Sequence, residues 1–149
     1  MRYKLTPVSP LDLATQFVSK SSTGNDLIRL GLRVRATSIC PIVKNFFHGL
    51  LNYSISFYPI QLDAITGFNW QMEHVYTLSI LKNRLILSGF LDHNVLKAGS
   101  KVISEHQVAL RTIDQLYIVS EYRHNDFLGD DKNGFGFGLE YKILFPGVE

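Results

Sequence analysis

The sequence Phe-Gly-Phe-Gly-Leu-Glu-Tyr-Lys-Ile-Leu-Phe, from Phe135 to Phe145, alternates in character with a period of two. Successive side chains of an extended strand point to opposite faces, so this alternation predicts a β-strand with two unlike faces. One face is apolar and aromatic, comprising Phe135, Phe137, Leu139, Tyr141, Ile143 and Phe145. The other is small or charged, comprising Gly136, Gly138, Glu140 and Lys142, with Leu144 as the exception.

The length and polarity of this segment indicate which surroundings suit it. A tilted strand needs about 9–11 residues to cross a bilayer, and the segment from Phe135 to Phe145 reaches that length. Glycines beside charges suit a crowded polar lumen better than a packed soluble core. We therefore predict an all-β fold, an antiparallel up-and-down transmembrane β-barrel.

The composition is compatible with a membrane protein that crosses with strands. The 149 residues, 46% of them hydrophobic, predict one domain, residues 1–149, with 1–12 less regular and 146–149 as a tail. No run approaches the ~18 consecutive apolar residues of a membrane helix. The formal charge of +2 is spread along the chain, so we expect no nucleic-acid partner. The single cysteine, Cys40, excludes an internal disulfide and any multi-cysteine metal site, and we expect no cofactor.

The amino terminus has a basic start but lacks the apolar segment of a secretory signal. For an exported protein, this predicts either that the signal lies outside this chain or that the chain is the carboxyl-terminal part of a longer barrel.

Alternating periodicity predicts about eight strands along the chain. They are Leu13–Ser19, Asp26–Thr37, Leu51–Tyr58, Phe68–Ile80, Arg84–Asp92, Val102–Arg111, Leu116–Arg123 and Phe135–Phe145. Eight is an allowed even number for a bacterial barrel. A further strand at Arg2–Val8 makes nine and implies a piece of a larger barrel.

The predicted connections alternate between short and long, as they do in outer-membrane barrels. Lys82-Asn83 and Thr112–Gln115 are short. Pro59–Gly67, His93–Lys101 and His124–Gly134 are long, and the connection 38–50 breaks the alternation. This pattern predicts that the carboxyl terminus lies on the periplasmic side.

The strand faces opposite the apolar ones collect charged side chains that we expect to line the lumen. They are Arg29, Arg33, Arg35, Glu73, Glu105, Arg111, Glu121, Arg123, Glu140 and Lys142. In a narrow barrel such charges are expected to pair into a network that fills the interior. In a wider barrel the arginines of the second predicted strand favour anionic solutes. Aromatic residues near strand ends predict interfacial girdles, namely Tyr53, Phe57, Phe68, Trp70, Tyr122 and Phe145.

An enzyme is not expected from these residues. Ser104-Glu105-His106 places three catalytic residue types in succession, but neighbours on a strand point to opposite faces. His124 lies near Asp126, Asp130 and Asp131, where a solvated loop is the expected structure. Neither a metal-binding spacing nor a phosphate-binding loop is present in the sequence.

The predicted last strand resembles the closing strand of bacterial outer-membrane proteins, which ends in an aromatic residue preceded by apolar residues at alternate positions. The resemblance implies an assembly signal at Gly138, Tyr141, Ile143 and Phe145, although the chain continues to Glu149. It further implies a bacterial outer-membrane location, with outer-membrane lipid and the barrel-assembly machinery as partners.

Two inner stretches resemble a narrower family, the nucleoside-specific channel-forming proteins of the outer membrane (Tsx-like). Ser88-Gly89-Phe90-Leu91-Asp92 resembles their Gly-Phe-x-Asp strand end. The run from Leu116 to Asp126, preceded by Glu105-His106-Gln107, resembles their penultimate strand and its approach. The resemblance covers about the last 60 residues and implies a barrel of about twelve strands that passes nucleosides or other small polar solutes.

Two other classes fit the same periodicity. A soluble carrier of lipocalin type would turn the apolar faces inward around a small ligand and the charged faces toward water. An enzyme that modifies lipid in the outer leaflet would instead use groups on the outer loops.

Overall fold

The computed structural model describes residues 2–4, 10–18, 26–35, 45, 47, 50–63 and 69–143. These residues form one antiparallel sheet of nine strands whose order in space is their order in the chain. The strands are β1 (Arg2–Lys4), β2 (Leu11–Val18), β3 (Leu27–Arg35), β4 (Leu51–Asp63), β5 (Trp70–Ile80), β6 (Leu85–Leu96), β7 (Gly99–Ile113), β8 (Leu116–Asn125) and β9 (Asn133–Tyr141). The predicted all-β, up-and-down architecture is confirmed.

Eight of the nine strands, β2 to β9, correspond to the eight predicted ones. The ninth, β1, is three residues long and pairs Arg2–Lys4 with Asp12–Ala14. Within the described residues no ladder joins β9 to β1, so the sheet is open. Phe68, Phe145, the tail 146–149 and most of the connection 38–50 lie outside the described residues.

β4 continues through Pro59 to Asp63, where the sequence predicts a loop. The register against β3 shifts between Leu30 and Leu32, which face Ile60 and Phe57. Such a bulge frees one residue from the ladder, and proline is tolerated there because it has no N–H to donate. The prediction of a loop at Pro59 was wrong because a bulge, which periodicity does not reveal, accommodates the proline.

Gly31 lies opposite this bulge and is required there. A Cβ at Gly31 would overlap the carbonyl oxygen of Phe57 and lie 2.8 Å from its carbonyl carbon. The backbones of β3 and β4 approach too closely for any side chain at this position.

β6 and β7 form a hairpin with a two-residue turn, Lys97–Ala98, where the sequence predicts a loop from His93 to Lys101. Gly99 follows the turn with φ of 125°, a conformation that side-chain-bearing residues rarely adopt. The predicted alternation of short and long connections therefore fails at this hairpin. The closing strand also differs from its prediction, because β9 begins at Asn133 and ends at Tyr141.

The sheet is strongly curved. Arg29 lies on β3 and Asn94 on β6, three strands further along the sheet, which in a flat sheet corresponds to about 14 Å. Their side chains nevertheless approach to 3.4 Å. The face that carries Arg29 is therefore concave, and the opposite face is convex.

The two faces have the reverse of the polarity of a water-soluble protein. The buried polar side chains of the concave face are Asp12, Ser54, Ser56, Gln61, Asn69, Gln71 and Asn94. Exposed apolar side chains cover the convex face, among them Leu13, Phe17, Ile28, Leu30, Leu32, Leu62, Leu110, Ile118, Phe135, Phe137 and Leu139. Gln71 is 1% exposed and Phe137 is 83% exposed. Within the described ranges, no helix has the length and apolarity to span a membrane.

Candidate functional site

The structure places all ten predicted lumen residues on the concave face of the sheet, nine by strand register and Lys142 by its contact with the Tyr117 ring. Register fixes this assignment, since Arg33 faces Ser56, Ser56 faces Glu73 through the next ladder, and Glu73 faces Asp92. Following the ladders in the same way through β7 and β8 puts Glu105, Glu121 and the glycines of β9 on this face. The ten residues do not form one site, however, because they separate into groups with different partners.

The first group is the Arg29 cluster, which consists of Arg29 and the side-chain amides of Gln16, Gln61 and Asn94. Arg29 Nε donates to Gln61 Oε1 at 2.9 Å, and Nη1 donates to Gln16 Oε1 at 2.6 Å. Nη2 donates to Asn94 Oδ1 at 3.4 Å. Each of the three guanidinium nitrogens thus has a neutral amide acceptor, and the three acceptors lie on β2, β4 and β6. Charge patterning did not single out these amides, although each lies at a polar position of its strand.

Two carboxylates lie beside the Arg29 cluster. Glu73 of β5 and Asp92 of β6 face each other in their ladder. The hydroxyl of Ser56 donates to Glu73 at 2.9 Å. Arg29 attracts both carboxylates electrostatically, with Asp92 the stronger partner. We predicted that arginines of this strand pair with acids across the barrel, but the direct contacts of Arg29 are with amides.

The other two arginines of β3 bind residues on neighbouring strands. Arg35 forms an ion pair with Asp12 of β2 at 3.5 Å, and the Asp12 side chain is almost fully buried. Arg33 Nη2 donates to the hydroxyl of Ser54 on β4 at 2.8 Å. Neither Asp12 nor Ser54 was predicted, because Asp12 precedes the predicted start of its strand and a lone serine gives no charge signal.

A second charged group lies near the open edge of the sheet. Arg123 of β8 binds Glu105 of β7 at 3.1 Å and also pairs with Glu121. The Arg123 side chain is 65% exposed, so this group is solvated.

The remaining predicted lumen residues lie toward the end of the sheet that carries the β5–β6 and β7–β8 turns. Arg111 Nη2 donates to the backbone carbonyl of Lys82 at 3.4 Å. Lys142 lies 3.9 Å from Glu140 and 4.4 Å from the centre of the Tyr117 ring. The contacts of Lys142 hold the chain that leaves β9 against β8, the contact of Arg111 joins β7 to the β5–β6 turn, and none of them joins the Arg29 cluster.

A cavity of about 380 Å³ adjoins the Arg29 cluster. It lies between β2 and β3 on one side and β6 to β8 on the other, at the end of the sheet that carries the β8–β9 loop. Its polar lining is Gln16, Arg29, Asp92, Asn94 and Asn125, and its apolar lining is Val18, Leu27, Ile103 and Phe127. Sequence reasoning identified only Arg29 among these residues, since the cavity depends on the curvature of the sheet.

The convex face carries a row of tyrosine and histidine side chains. Tyr76 and His106 are joined at 2.9 Å through the hydroxyl and Nδ1, and Tyr122 stacks on His106 with a centroid distance of 6.4 Å. Tyr53 contacts His74 in the same way at 2.7 Å. The predicted aromatic residues Tyr53 and Tyr122 therefore share this row with histidines that the girdle prediction did not include.

The side chain of Asp126 organises the β8–β9 loop through several contacts. Its Oδ2 accepts the backbone N–H of Val102 at 3.0 Å, and its Oδ1 lies 3.3 Å from His124 and 3.4 Å from Lys132. The hydrogen bond from Val102 is the main cause that lowers the pKa of Asp126, and Lys132 and His124 act in the same direction. These contacts tie the loop to β7 and give His124 and Asp126 a structural role.

The structure divides the three residues of Ser104-Glu105-His106 between the two faces of β7. Ser104 and His106 lie on the convex face and Glu105 on the concave face, as the strand parity predicts. Among the described residues, no group of three or more histidine, cysteine, aspartate or glutamate side chains is placed to hold a metal ion.

The structure describes three of the four residues of the predicted assembly signal, Gly138, Tyr141 and Ile143. Gly138 lies on the concave face opposite Val119, and Tyr141 and Ile143 are exposed. Phe145 lies outside the described residues. The strand ends four residues before Phe145, although the Lys142 N–H still donates to the Gln115 carbonyl at 3.0 Å.

Comparisons with protein-family models, with curated proteins and with solved structures found no match to this chain.

Proposed function

We propose that this chain forms part of the wall of an outer-membrane β-barrel whose polar lumen passes small polar solutes. The reversed polarity of the sheet carries the proposal, because among the described residues all the buried polar side chains except Ser104 lie on the concave face while exposed apolar side chains cover the convex face. Alternation of this kind, apolar toward lipid and polar toward the lumen, is characteristic of transmembrane barrels.

Energetics support a lipid environment for the convex face. Burying a leucine or phenylalanine side chain is worth about 1.5–3 kcal/mol relative to leaving it in water. Leu30, Leu62, Phe137 and Leu139 are 44%, 58%, 83% and 72% exposed. An apolar face of this extent in water is an aggregation surface, whereas in hydrocarbon it needs no partner.

The number and direction of the strands support a barrel wider than the described sheet. Every ladder is antiparallel, so β1 and β9 run in the same direction, and direct closure would be a parallel pairing. Bacterial single-chain barrels have even numbers of antiparallel strands. β9 also exposes both faces, from Asn133 to Leu139. Further strand pairing at this edge would complete the wall.

Neutral polar solutes fit the lumen better than the anions that the arginines of β3 suggest by themselves. Arg29, Arg33 and Arg35 each have a partner on a neighbouring or facing strand. Glu73 and Asp92 add negative charge beside Arg29. A ring of arginines without carboxylates nearby would select anions, whereas here Arg35 is ion-paired with Asp12 and two carboxylates lie beside Arg29. Nucleosides, which the family resemblance implies, are within the neutral polar class.

The carrier of lipocalin type requires the opposite arrangement, with apolar faces inward and charged faces in water. The convex position of Leu30 and Phe137 and the concave position of Arg29 do not support it.

The proposal is tested by refolding the chain into detergent micelles and then into liposomes. We expect a heat-modifiable species, resistant to SDS until boiled, in which copies of the chain pair at their open sheet edges and which partitions with detergent. Liposome swelling should then show faster entry of a neutral monosaccharide than of a trisaccharide, and little dependence on the sign of charge of small solutes. A chain that stays soluble and monomeric without detergent, and that shows no heat-dependent mobility, would refute the proposal.

A further inference from the structure

We propose that the cavity beside the Arg29 cluster is a binding subsite for a neutral saccharide of one or two sugar rings. The inference rests on the proposed function, because it assigns a solute class to the polar concave face. The volume of the cavity, about 380 Å³, is at the lower end of the ~300–1,000 Å³ range of small-molecule sites. That volume suits a ligand of one or two rings.

The charge of the lining favours a neutral ligand. Arg29 and Asp92 are the two ionisable side chains of opposite sign in the lining, and their formal charges cancel. Arg29 already donates three of its five N–H groups to the neutral side chains Gln16, Gln61 and Asn94. A phosphate or carboxylate would also meet repulsion from Asp92, which lines the same cavity.

One acceptor of the polar lining has no hydrogen-bond donor. Asp92 Oδ1 is buried, and among the described residues no group donates to it. Buried polar atoms of this kind are normally paired. Hydroxyl groups supply both the donor that this oxygen lacks and acceptors for the side-chain amides of Asn94 and Asn125.

The apolar lining distinguishes a sugar from a flat heterocycle. Phe127 is the single aromatic side chain of the lining, and Lys101 Nζ lies 4.8 Å from its ring centre. The other apolar residues, Val18, Leu27 and Ile103, are aliphatic. A nucleobase gains most from a pair of aromatic walls, whereas one aromatic face is enough for the C–H face of a sugar ring. The numerous polar groups match the many hydroxyls of a saccharide.

The test is isothermal titration of the refolded full chain in detergent with glucose, maltose, uridine and inorganic phosphate. We expect glucose or maltose to bind with Kd of about 1 mM or tighter, and uridine and phosphate to bind at least tenfold more weakly. Phe127→Ala should weaken saccharide binding about tenfold. Leu128→Ala is the matched control, because Leu128 is in the same exposed loop and does not line the cavity.

Three outcomes would contradict the inference. Tighter binding of uridine or phosphate, or equal losses in Phe127→Ala and Leu128→Ala, would overturn the saccharide assignment. A heat-modifiable, detergent-embedded protein that binds none of the four probes would overturn the subsite and leave the proposed function standing. A chain that never forms the SDS-resistant species would overturn both. Asp92→Asn, which preserves side-chain volume, should reduce maltose affinity severalfold without loss of heat modifiability.

Discussion

The hydroxyl of Tyr76 lies 2.9 Å from Nδ1 of His106, and the two side chains meet across Gly89 of the strand between them. Gly89 has no side chain to separate them, and a Cβ there would overlap the Glu105 carbonyl oxygen and lie 3.0 Å from both bridging atoms. Tyr122 continues the row by stacking on His106.

Gly89→Ala is therefore expected to destabilise the sheet more than loss of the bridge itself. Tyr76→Phe removes one hydrogen bond, a cost of about 1 kcal/mol, while Gly89→Ala also forces β6 and β7 apart. Urea unfolding in micelles measures both changes. Gly136→Ala is the control, since its nearest contact would be 4.0 Å from the Glu121 Cβ. Equal stability of Gly89→Ala and Gly136→Ala would contradict this account.

Gly31→Ala tests the bulge between β3 and β4. Because a Cβ at Gly31 would overlap the Phe57 carbonyl oxygen, we expect the variant to lose the local pairing of Leu30 with Ile60. Hydrogen exchange at the β3 amides should accelerate relative to Gly138→Ala, whose Cβ would have an ordinary contact at 3.5 Å. Unchanged exchange would show that the strands can separate at no cost.

Leu30→Arg tests the environment of the convex face. Arginine on the lipid face costs about 2–4 kcal/mol at the bilayer midplane, so the free energy of unfolding in liposomes should fall by that amount. The control is Leu128→Arg in the β8–β9 loop, which is expected to be close to neutral. A Leu30→Arg variant as stable as the parent would place this face in water.

The Asp12–Arg35 pair is expected to be energetically coupled. Removing either partner leaves the other charge poorly compensated, so Asp12→Ala and Arg35→Ala together should cost less than the sum of the single losses. A coupling energy of about 0.5–3 kcal/mol is the expected result of the cycle. The same cycle at the solvated pair of Glu121 and Arg123 should give a smaller coupling energy, because solvent screens exposed charges. Strict additivity at Asp12 and Arg35 would mean that the pair does not interact.

The β8–β9 loop should lose order in acid. The folded pKa of Asp126 is lowered, mainly by the Val102 N–H, so its stabilising effect is present above the unfolded value of about 3.9. The effect is lost as pH falls through the lower folded pKa, because the protonated carboxyl accepts these bonds less well. Hydrogen exchange at Val102 should rise over that range, and Asp126→Asn should show the faster exchange already at neutral pH. Asp130→Asn, in the same loop, should leave the profile unchanged.

The fold followed from periodicity where each strand had two clearly unlike faces. In β3, Ile28 and Leu30 alternate with Arg29 and Gly31, and the structure places these sets on opposite faces. Periodicity failed at Pro59 and in the segment from His93 to Lys101. A proline and a glycine suggest an interruption, but one is accommodated by a bulge and the other by a tight hairpin.

The candidate site was less predictable than the fold. Charge identified Arg29, but its acceptors Gln16 and Asn94 are neutral and lie 13 and 65 residues away in the chain. Their approach depends on the curvature of the whole sheet, which alternation along single strands does not encode. The cavity was missed for the same reason, since β2 and β8 line its two sides only because the sheet curls.

The most direct test of the central claim, that the convex face meets lipid, is quenching of tryptophan fluorescence by brominated lipids. Trp70 is the only tryptophan, so Trp70→Phe combined with Leu30→Trp gives a single reporter on the convex face of β3. The account predicts strong quenching by lipids brominated deep in the acyl chain and little quenching by acrylamide from water. Quenching by acrylamide without quenching by brominated lipid would contradict it.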